Sequence, residues 1–176
     1  MVTAKLNFET RVKKMIRNIS SILGLGLFLL TALYSPARAY EAMVTHVLDG
    51  DSFRVRHGHR IETIRLYGID CPEYRQDGWQ KAKKMTKTLV GKNSVEIYPV
   101  DIDRYGRTVA FVRVQGRLIN AELVGNGWAW LYRRYCHAQP FCRQLDKLEQ
   151  EARSYRRGIW EKNKPIPPWV WRRRKH

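Results

Sequence analysis

The chain has 176 residues and a formal net charge of +17, a length that suits one folded domain with an appendage. Six tryptophans and nine tyrosines exclude a disordered polycation, because such chains contain few aromatic residues. The excess of lysine and arginine favours a polyanionic partner, either nucleic acid or an anionic membrane surface, although a basic surface can also serve only solubility.

Residues 1–39 are predicted to be a signal peptide. Basic residues precede an apolar run over residues 19–33, and Ala37-Arg38-Ala39 matches a small-residue cleavage site before Tyr40. The alternative is an uncleaved membrane anchor, since the apolar run is near the lower length limit for a spanning helix. The segment has six basic residues and one acidic residue, so the rest of the chain is strongly basic without it. We therefore expect export to the periplasm or the medium.

The next part of the chain predicts a β-meander. Its strand-like segments cover residues 43–47, 52–55 and 60–66, and a glycine-containing turn follows each of the first two. Two more strands are expected over residues 94–100 and 108–114. Short strands bent by glycines are typical of a small barrel.

Three helices are predicted around these strands. The first begins after Asp77 as its N-cap and ends at Gly91, the second is capped by Asn120, and the third covers about residues 143–157. The lysines of the first helix form either a solvated face or a surface that follows phosphates. Residues 163–176 form a separate tail rich in proline, tryptophan and arginine, which we expect to be extended. Such tails are solubilising or contact nucleic acid.

The three cysteines lie in the exported part. Cys136 and Cys142 bracket a short loop that a disulfide could close in an oxidising compartment. Cys71 is then left over. No C-x-x-C pair accompanies them, so the sequence does not predict a metal site built from cysteine.

Polar loops at strand ends carry the candidate chemistry. Asp51 and Asp70 offer hard oxygen ligands for a divalent cation, with a backbone carbonyl and water completing the shell. No soft ligands accompany them, so zinc and copper are not expected. Taken singly, each loop could also be an ordinary turn with a structural ion pair.

Arginines and one further carboxylate complete this constellation. Arg65 and Arg107 can each donate two parallel hydrogen bonds to phosphate. Glu73 can orient or deprotonate an attacking water. Together with a cation, these groups form a plausible site for in-line attack on a phosphodiester.

Three segments of the chain resemble, in their order and spacing, the three signature segments of the staphylococcal nuclease, or thermonuclease, family. They are residues 48–52, residues 64–73 and Asp103-Arg104-Tyr105-Gly106-Arg107. Residues 120–124 and 158–160 look like later landmarks of the family, so the resemblance covers nearly all of residues 42–162. It implies one domain over residues 40–162 with an α+β, mainly β, architecture, a five-stranded OB-fold Greek-key barrel with three helices.

The resemblance also implies a function. It implies a low-specificity endonuclease or exonuclease that hydrolyses DNA and RNA to 3′-phosphorylated products with one Ca²⁺ per domain. By motif match, Arg65, Glu73 and Arg107 are the catalytic positions. The implied calcium ligands are the Asp51 and Asp70 side chains and the backbone carbonyl of Cys71. Tyr105 and Arg104 are the implied substrate contacts. Asp49 is expected to support the ligand residues without binding the ion itself.

Some residues depart from the family pattern. Cys71 and Ser52 each replace a threonine, and the segment between Glu73 and the first helix looks shorter than in the staphylococcal enzyme. A carbonyl ligand survives a side-chain change, so we interpret the Cys71 side chain as a small, part-buried filler. The alternative function is a catalytically silent nucleic-acid-binding module on the same fold. In either case we expect a monomer without a protein partner, and membrane contact only if the N-terminal segment is uncleaved.

Overall fold

The computed structural model describes residues 38–91 and 93–174. The predicted signal peptide therefore lies outside the described residues apart from its last two positions, and so does the apolar run over residues 19–33. Within the described ranges, no helix is long and apolar enough to cross a membrane.

The described residues contain eight strands and four α-helices. The strands are β1 (Tyr40–Val47), β2 (Ser52–His57), β3 (Arg60–Leu66), β4 (Ile69–Asp70), β5 (Ser94–Ile102), β6 (Thr108–Val114), β7 (Arg117–Leu118) and β8 (Trp130–Leu131). The helices are α1 (Trp79–Val90), α2 (Ile119–Gly125), α3 (Phe141–Ser154) and α4 (Pro168–Arg174). Two 3₁₀ turns cover Arg133–Tyr135 and Gly158–Glu161.

The main sheet curls into a barrel. Its strands follow the order β3-β2-β1-β5-β6-β7, and neighbours in this order are antiparallel. β3 also pairs with β6 in parallel, which closes β1, β2, β3, β5 and β6 into a five-stranded barrel. β4 and β8 form a separate two-stranded sheet. The structure confirms the predicted α+β fold of the OB type.

The core consists of side chains that alternate along the strands. Phe53 and Val55 of β2 are buried and Arg54 between them is exposed, as expected for a strand with one face toward a core. Leu123 of α2 and Leu145 of α3 belong to the same buried cluster. Both helices therefore pack on the barrel.

Two predicted helix caps are wrong. The N-cap of α1 is Gly78 and not Asp77, whose carboxylate instead forms an ion pair with Lys162. Asn120 does not cap α2, since the N-cap is Leu118. A short polar side chain before an apolar run is typical of a cap, but here tertiary contacts use both side chains. The predicted end of α1 at Gly91 agrees with its C-cap.

Asn120 instead ties α2 to the barrel. Its Oδ1 accepts a hydrogen bond from Val112 N–H at 3.1 Å, and its Nδ2 donates to the carbonyl oxygens of Tyr67 at 3.0 Å and Ala110 at 3.3 Å. The side chain is fully buried. It therefore satisfies backbone groups that would otherwise lack a partner in the core.

The C-terminal tail is not extended as predicted. Residues Pro168–Arg174 form α4, the helix beyond the three that were predicted. Proline suits the first position of a helix, because the N–H that it lacks has no partner within the helix there. The ring of Trp169 stacks on Tyr132, with centroids 5.1 Å apart and planes 6° from parallel. The helix is thus held against the domain by an aromatic contact that local sequence does not reveal.

We expect Asn120→Ala to lower the free energy of unfolding by about 3 kcal/mol, because it leaves buried backbone groups without this partner. Urea titration followed by circular dichroism measures the change. Asn163→Ala is the control, since Asn163 is exposed and should change the value by less than about 0.5 kcal/mol. Equal effects of the two substitutions would contradict the role assigned to Asn120.

Candidate active site

Barrel closure determines which loops meet. In the parallel pairing Arg65 of β3 is opposite Val109 of β6, so the chain enters β6 beside Arg65 directly after Arg107. On the other side of β3, Ser52 is opposite Arg65. Arg65 therefore lies between the turn that carries Asp51 and the loop that carries Arg107.

Arg65 bridges two buried carboxylates. Its Nη2 donates to Asp70 Oδ1 at 2.9 Å and to the carbonyl oxygen of Ile69 at 3.2 Å, and its Nη1 pairs with Asp51 Oδ1. Asp51 and Asp70 are only 4% and 1% exposed, so each needs a charged or hydrogen-bonding partner. The shared guanidinium shows that the two predicted ligand carboxylates face the same place.

The turn around Asp51 is held by Asp49 and Cys71. Asp51 N–H donates to Asp49 Oδ1 at 3.0 Å, and Cys71 N–H donates to Asp51 Oδ2 at 2.6 Å. A Cβ on Gly50 would lie 2.6 Å from Cys71 Cβ, a separation that leaves room only for glycine. The buried side chain of Cys71 thus packs against the turn. The predicted ligand role of its carbonyl, and the supporting role of Asp49, stay predictions.

Asp103 organises the loop before β6. Its carboxylate accepts hydrogen bonds from the backbone N–H of Tyr105 at 2.9 Å and of Arg107 at 3.0 Å, and from Arg107 Nε at 2.7 Å. Burial acts to raise the pKa of Asp103, but the hydrogen bonds outweigh it and lower this pKa. Arg107 Nη1 lies 3.5 Å from Ser52 Oγ, which donates to Asp51 Oδ1 at 3.2 Å. Arg107 therefore reaches the carboxylate pair through Ser52.

Tyr105 and Arg104 lie at the exposed tip of this loop. Arg104 Nη2 donates to Tyr105 Oη at 2.6 Å. The guanidinium carbons of Arg104 and Arg107 lie 4.8 and 5.4 Å from the centroid of the tyrosine ring. An exposed ring surrounded by cations suits a nucleotide, because the base can stack while the phosphate is attracted. Their contact with substrate stays a prediction.

Glu73 joins the site through Arg172, a residue that sequence reasoning missed. Arg172 Nη2 donates to Asp70 Oδ2 at 2.8 Å, Nη1 donates to Asp70 Oδ1 at 3.3 Å, and Nη1 also bonds Glu73 Oε1. The side chain of Glu73 is 37% exposed, so its carboxylate lies on the solvent side of the buried Asp70. The sequence did contain a signal for the helix that carries Arg172. Pro168 suits a helix start, and Trp169 and Arg172 are three positions apart, so they lie on one face of such a helix.

The two buried carboxylates offer oxygen atoms of the kind that a hard cation binds. Within the described ranges, no group of three or more His, Cys, Asp or Glu side chains is placed to hold a metal ion. Asp51 and Asp70 supply oxygen atoms from two side chains, and Ca²⁺ takes further oxygens from backbone carbonyls and water. Their buried oxygens and shared position fit such an ion, with Cys71 O as the predicted backbone ligand.

Comparisons with a family model and with individual proteins point to the same family. The model of a family described as staphylococcal nuclease homologue matches residues 63–162. A protein of Escherichia coli O157:H7 named "Uncharacterized endonuclease" is 39% identical over 133 residues, which cover 75% of this chain and 84% of that protein. A "Micrococcal nuclease" of Shigella flexneri is 34% identical over 143 residues, with 76% and 81% covered. The chain belongs to the staphylococcal nuclease family.

A plant protein shares a smaller part of its length. The "Probable staphylococcal-like nuclease CAN2" of Oryza sativa subsp. japonica is 36% identical over 110 residues, which cover 62% of this chain and 29% of that protein. The similarity therefore covers less than a third of the longer plant protein.

We expect Cys71 to be unreactive in the folded protein. Burial raises the pKa of this thiol well above its ordinary value, although the charge of Arg65 acts in the opposite direction. At pH 8 the thiol is therefore protonated and shielded. Cys136 and Cys142 form a disulfide, so Ellman's reagent without reductant should detect no thiol before urea is added and one per chain afterwards. The control, Cys71→Ala, should show none in either condition, and rapid reaction of the folded protein would contradict the assignment.

Proposed function

We propose that this protein is a calcium-dependent nuclease that hydrolyses phosphodiester bonds in DNA and RNA with low sequence specificity. The observation that carries the proposal is the convergence of Arg65, Asp51 and Asp70 with Arg107, which comes from a distant loop. Arg65 pairs with both buried carboxylates, and Arg107 approaches them through Ser52, so two guanidinium groups gather beside two hard oxygen ligands, as a phosphate-binding site requires. Family membership supports the same reaction.

The arginines suit recognition of a phosphate. Asp103 holds Arg107 through Nε and the loop backbone, and the Nη1 contact with Ser52 is long at 3.5 Å, so the Nη groups can turn to phosphate oxygens. The planar guanidinium can donate two parallel hydrogen bonds there, and its positive charge stabilises the negative charge that increases on those oxygens in the transition state. Arg65 adds a second positive charge at the same place.

The carboxylates suit two different tasks. Asp51 and Asp70, with the carbonyl oxygen of Cys71, would hold Ca²⁺, which supplies Lewis-acid polarisation of a phosphoryl oxygen. Glu73 extends toward solvent, where its carboxylate can accept a proton from, or orient, an attacking water. For products that end in a 3′-phosphate, water attacks phosphorus and the bond to the 5′ oxygen breaks.

The charge of the domain suits this substrate. The exposed lysines of α1 are Lys81, Lys84 and Lys87. A positive surface attracts the phosphate backbone and makes binding dependent on salt. This attraction does not depend on the base sequence of the nucleic acid, which agrees with low sequence specificity.

We expect Arg107→Lys to reduce the rate of single-stranded DNA hydrolysis in calcium by about a hundredfold or more, because lysine cannot reproduce the two parallel hydrogen bonds. Release of acid-soluble nucleotides measures the rate. Arg113→Lys is a matched control, since Arg113 lies exposed on the adjoining strand β6 and should retain the parent rate.

Two other outcomes would decide against parts of the proposal. Hydrolysis that continues in excess chelator would contradict calcium dependence. Tight binding of single-stranded DNA with no turnover in calcium would instead support the catalytically silent binding module.

We also propose that the protein is exported and acts in the periplasm or outside the cell. The predicted signal segment and the Cys136–Cys142 disulfide support this location, because structural disulfides persist in oxidising compartments. N-terminal sequencing of the exported protein should find a chain that starts at Tyr40. A chain that retains residues 19–33 would instead favour a membrane anchor.

A further inference from the structure

Arg172 stands apart from the rest of the candidate site. It comes from α4, which lies beyond residues 63–162 that the family model matches. Its guanidinium nevertheless contacts both oxygens of Asp70 and one oxygen of Glu73. The helix therefore places a positive charge directly on a predicted calcium ligand and on the predicted water-orienting carboxylate.

The position of Arg172 is built into the tail and is not a chance surface contact. The stacking of Trp169 on Tyr132 anchors the same helix. Upstream, buried Gln76 donates through Nε2 to the carbonyl oxygen of Ile166 at 2.6 Å, while its Oε1 accepts from Glu73 N–H at 2.9 Å. One side chain thus connects the loop that carries Glu73 to the segment that leads into α4.

The contacts of Arg172 use the oxygens that a cation would need. Asp70 is 1% exposed and bonds Arg65 and Arg172, so both of its oxygens already have charged partners. Burial opposes the charge of Arg172, but bonds to the two carboxylates outweigh burial and raise its pKa. A divalent ion that coordinates Asp70 has to displace this guanidinium, at least in part, because the two cations repel each other and need the same lone pairs.

We propose that Arg172 is an affinity-determining residue of the calcium site, a tethered cation that competes with Ca²⁺ for Asp70 and is released when the ion binds. The inference rests on the proposed function, because it takes calcium as the ligand of Asp51 and Asp70. Exchange of one arginine charge for a divalent ion makes the site more positive, which favours an anionic phosphate. Release of α4 also frees the Glu73 carboxylate from its arginine partner.

Titration calorimetry with calcium chloride on the full-length chain tests this competition. We expect Arg172→Gln to bind Ca²⁺ on the order of tenfold more tightly than the parent chain, since the competing charge is gone. A merely structural role for Arg172 predicts the opposite sign, because loss of support for Asp70 would weaken binding. Arg173→Gln is the matched control, since Arg173 is the exposed neighbour on the same helix, and it should bind like the parent. Circular dichroism verifies that all three proteins are folded.

Hydrogen exchange provides a second readout that does not use activity. Thermodynamic linkage is reciprocal. If docking of α4 weakens calcium binding, then calcium binding must weaken docking of α4 by the same factor. Calcium should therefore speed amide exchange over residues 168–174 in the parent chain. In Arg172→Gln, exchange should already be fast in chelator and should respond little to calcium.

The outcomes separate this inference from the proposed function. Equal or weaker calcium affinity in Arg172→Gln, or calcium-independent exchange of α4 in the parent, would overturn the competition and leave the proposed calcium site intact. Absence of calcium binding in both the parent and Arg172→Gln would overturn the calcium site itself, and the competition with it.

Discussion

The parallel pairing of β3 with β6 is the constraint on which the rest of the structure depends. It closes the barrel, and the same register sets Arg65 opposite Val109, beside the loop that ends at Arg107. Without this pairing, three strands would separate β3 from β6 in an open sheet, and the two arginines would have no reason to approach one substrate. The step that buries the core therefore also assembles the candidate active site.

Closure buries two carboxylates, and the structure offsets their charge with specific partners. Asp51 and Asp70 share Arg65, and each has another donor, Cys71 N–H for Asp51 and Arg172 for Asp70. Removing either carboxylate from water without such partners would be strongly unfavourable. In the proposed competition, a divalent ion replaces a guanidinium at the same oxygens, so these partners can be exchanged. If the site binds calcium as proposed, the same few atoms couple its occupancy to the stability of the fold.

The tail extends this coupling beyond the barrel. Trp169 and Gln76 hold α4 and the segment before it against the domain, and α4 in turn carries Arg172. Trp169 also packs against the cluster of Trp130, Ala152, Ile159 and Trp160. Because α4 is a short terminal helix outside the barrel, it can nevertheless open at a lower free energy than the barrel core. A segment of this kind can respond to a ligand while the barrel remains folded.

The amino-acid sequence by itself determined the barrel strands, the three polar loops and the family, because strand alternation, glycine turns and signature spacing are local patterns. Only the tertiary structure decided which partners the polar side chains contact. Asp77 and Asn120 look like caps, yet one pairs with a distant lysine and the other satisfies buried backbone groups. Arg172 looks like part of a solubilising tail, yet it contacts Asp70 from about a hundred residues away. Such partners are set by how elements pack, and no short stretch of sequence records them.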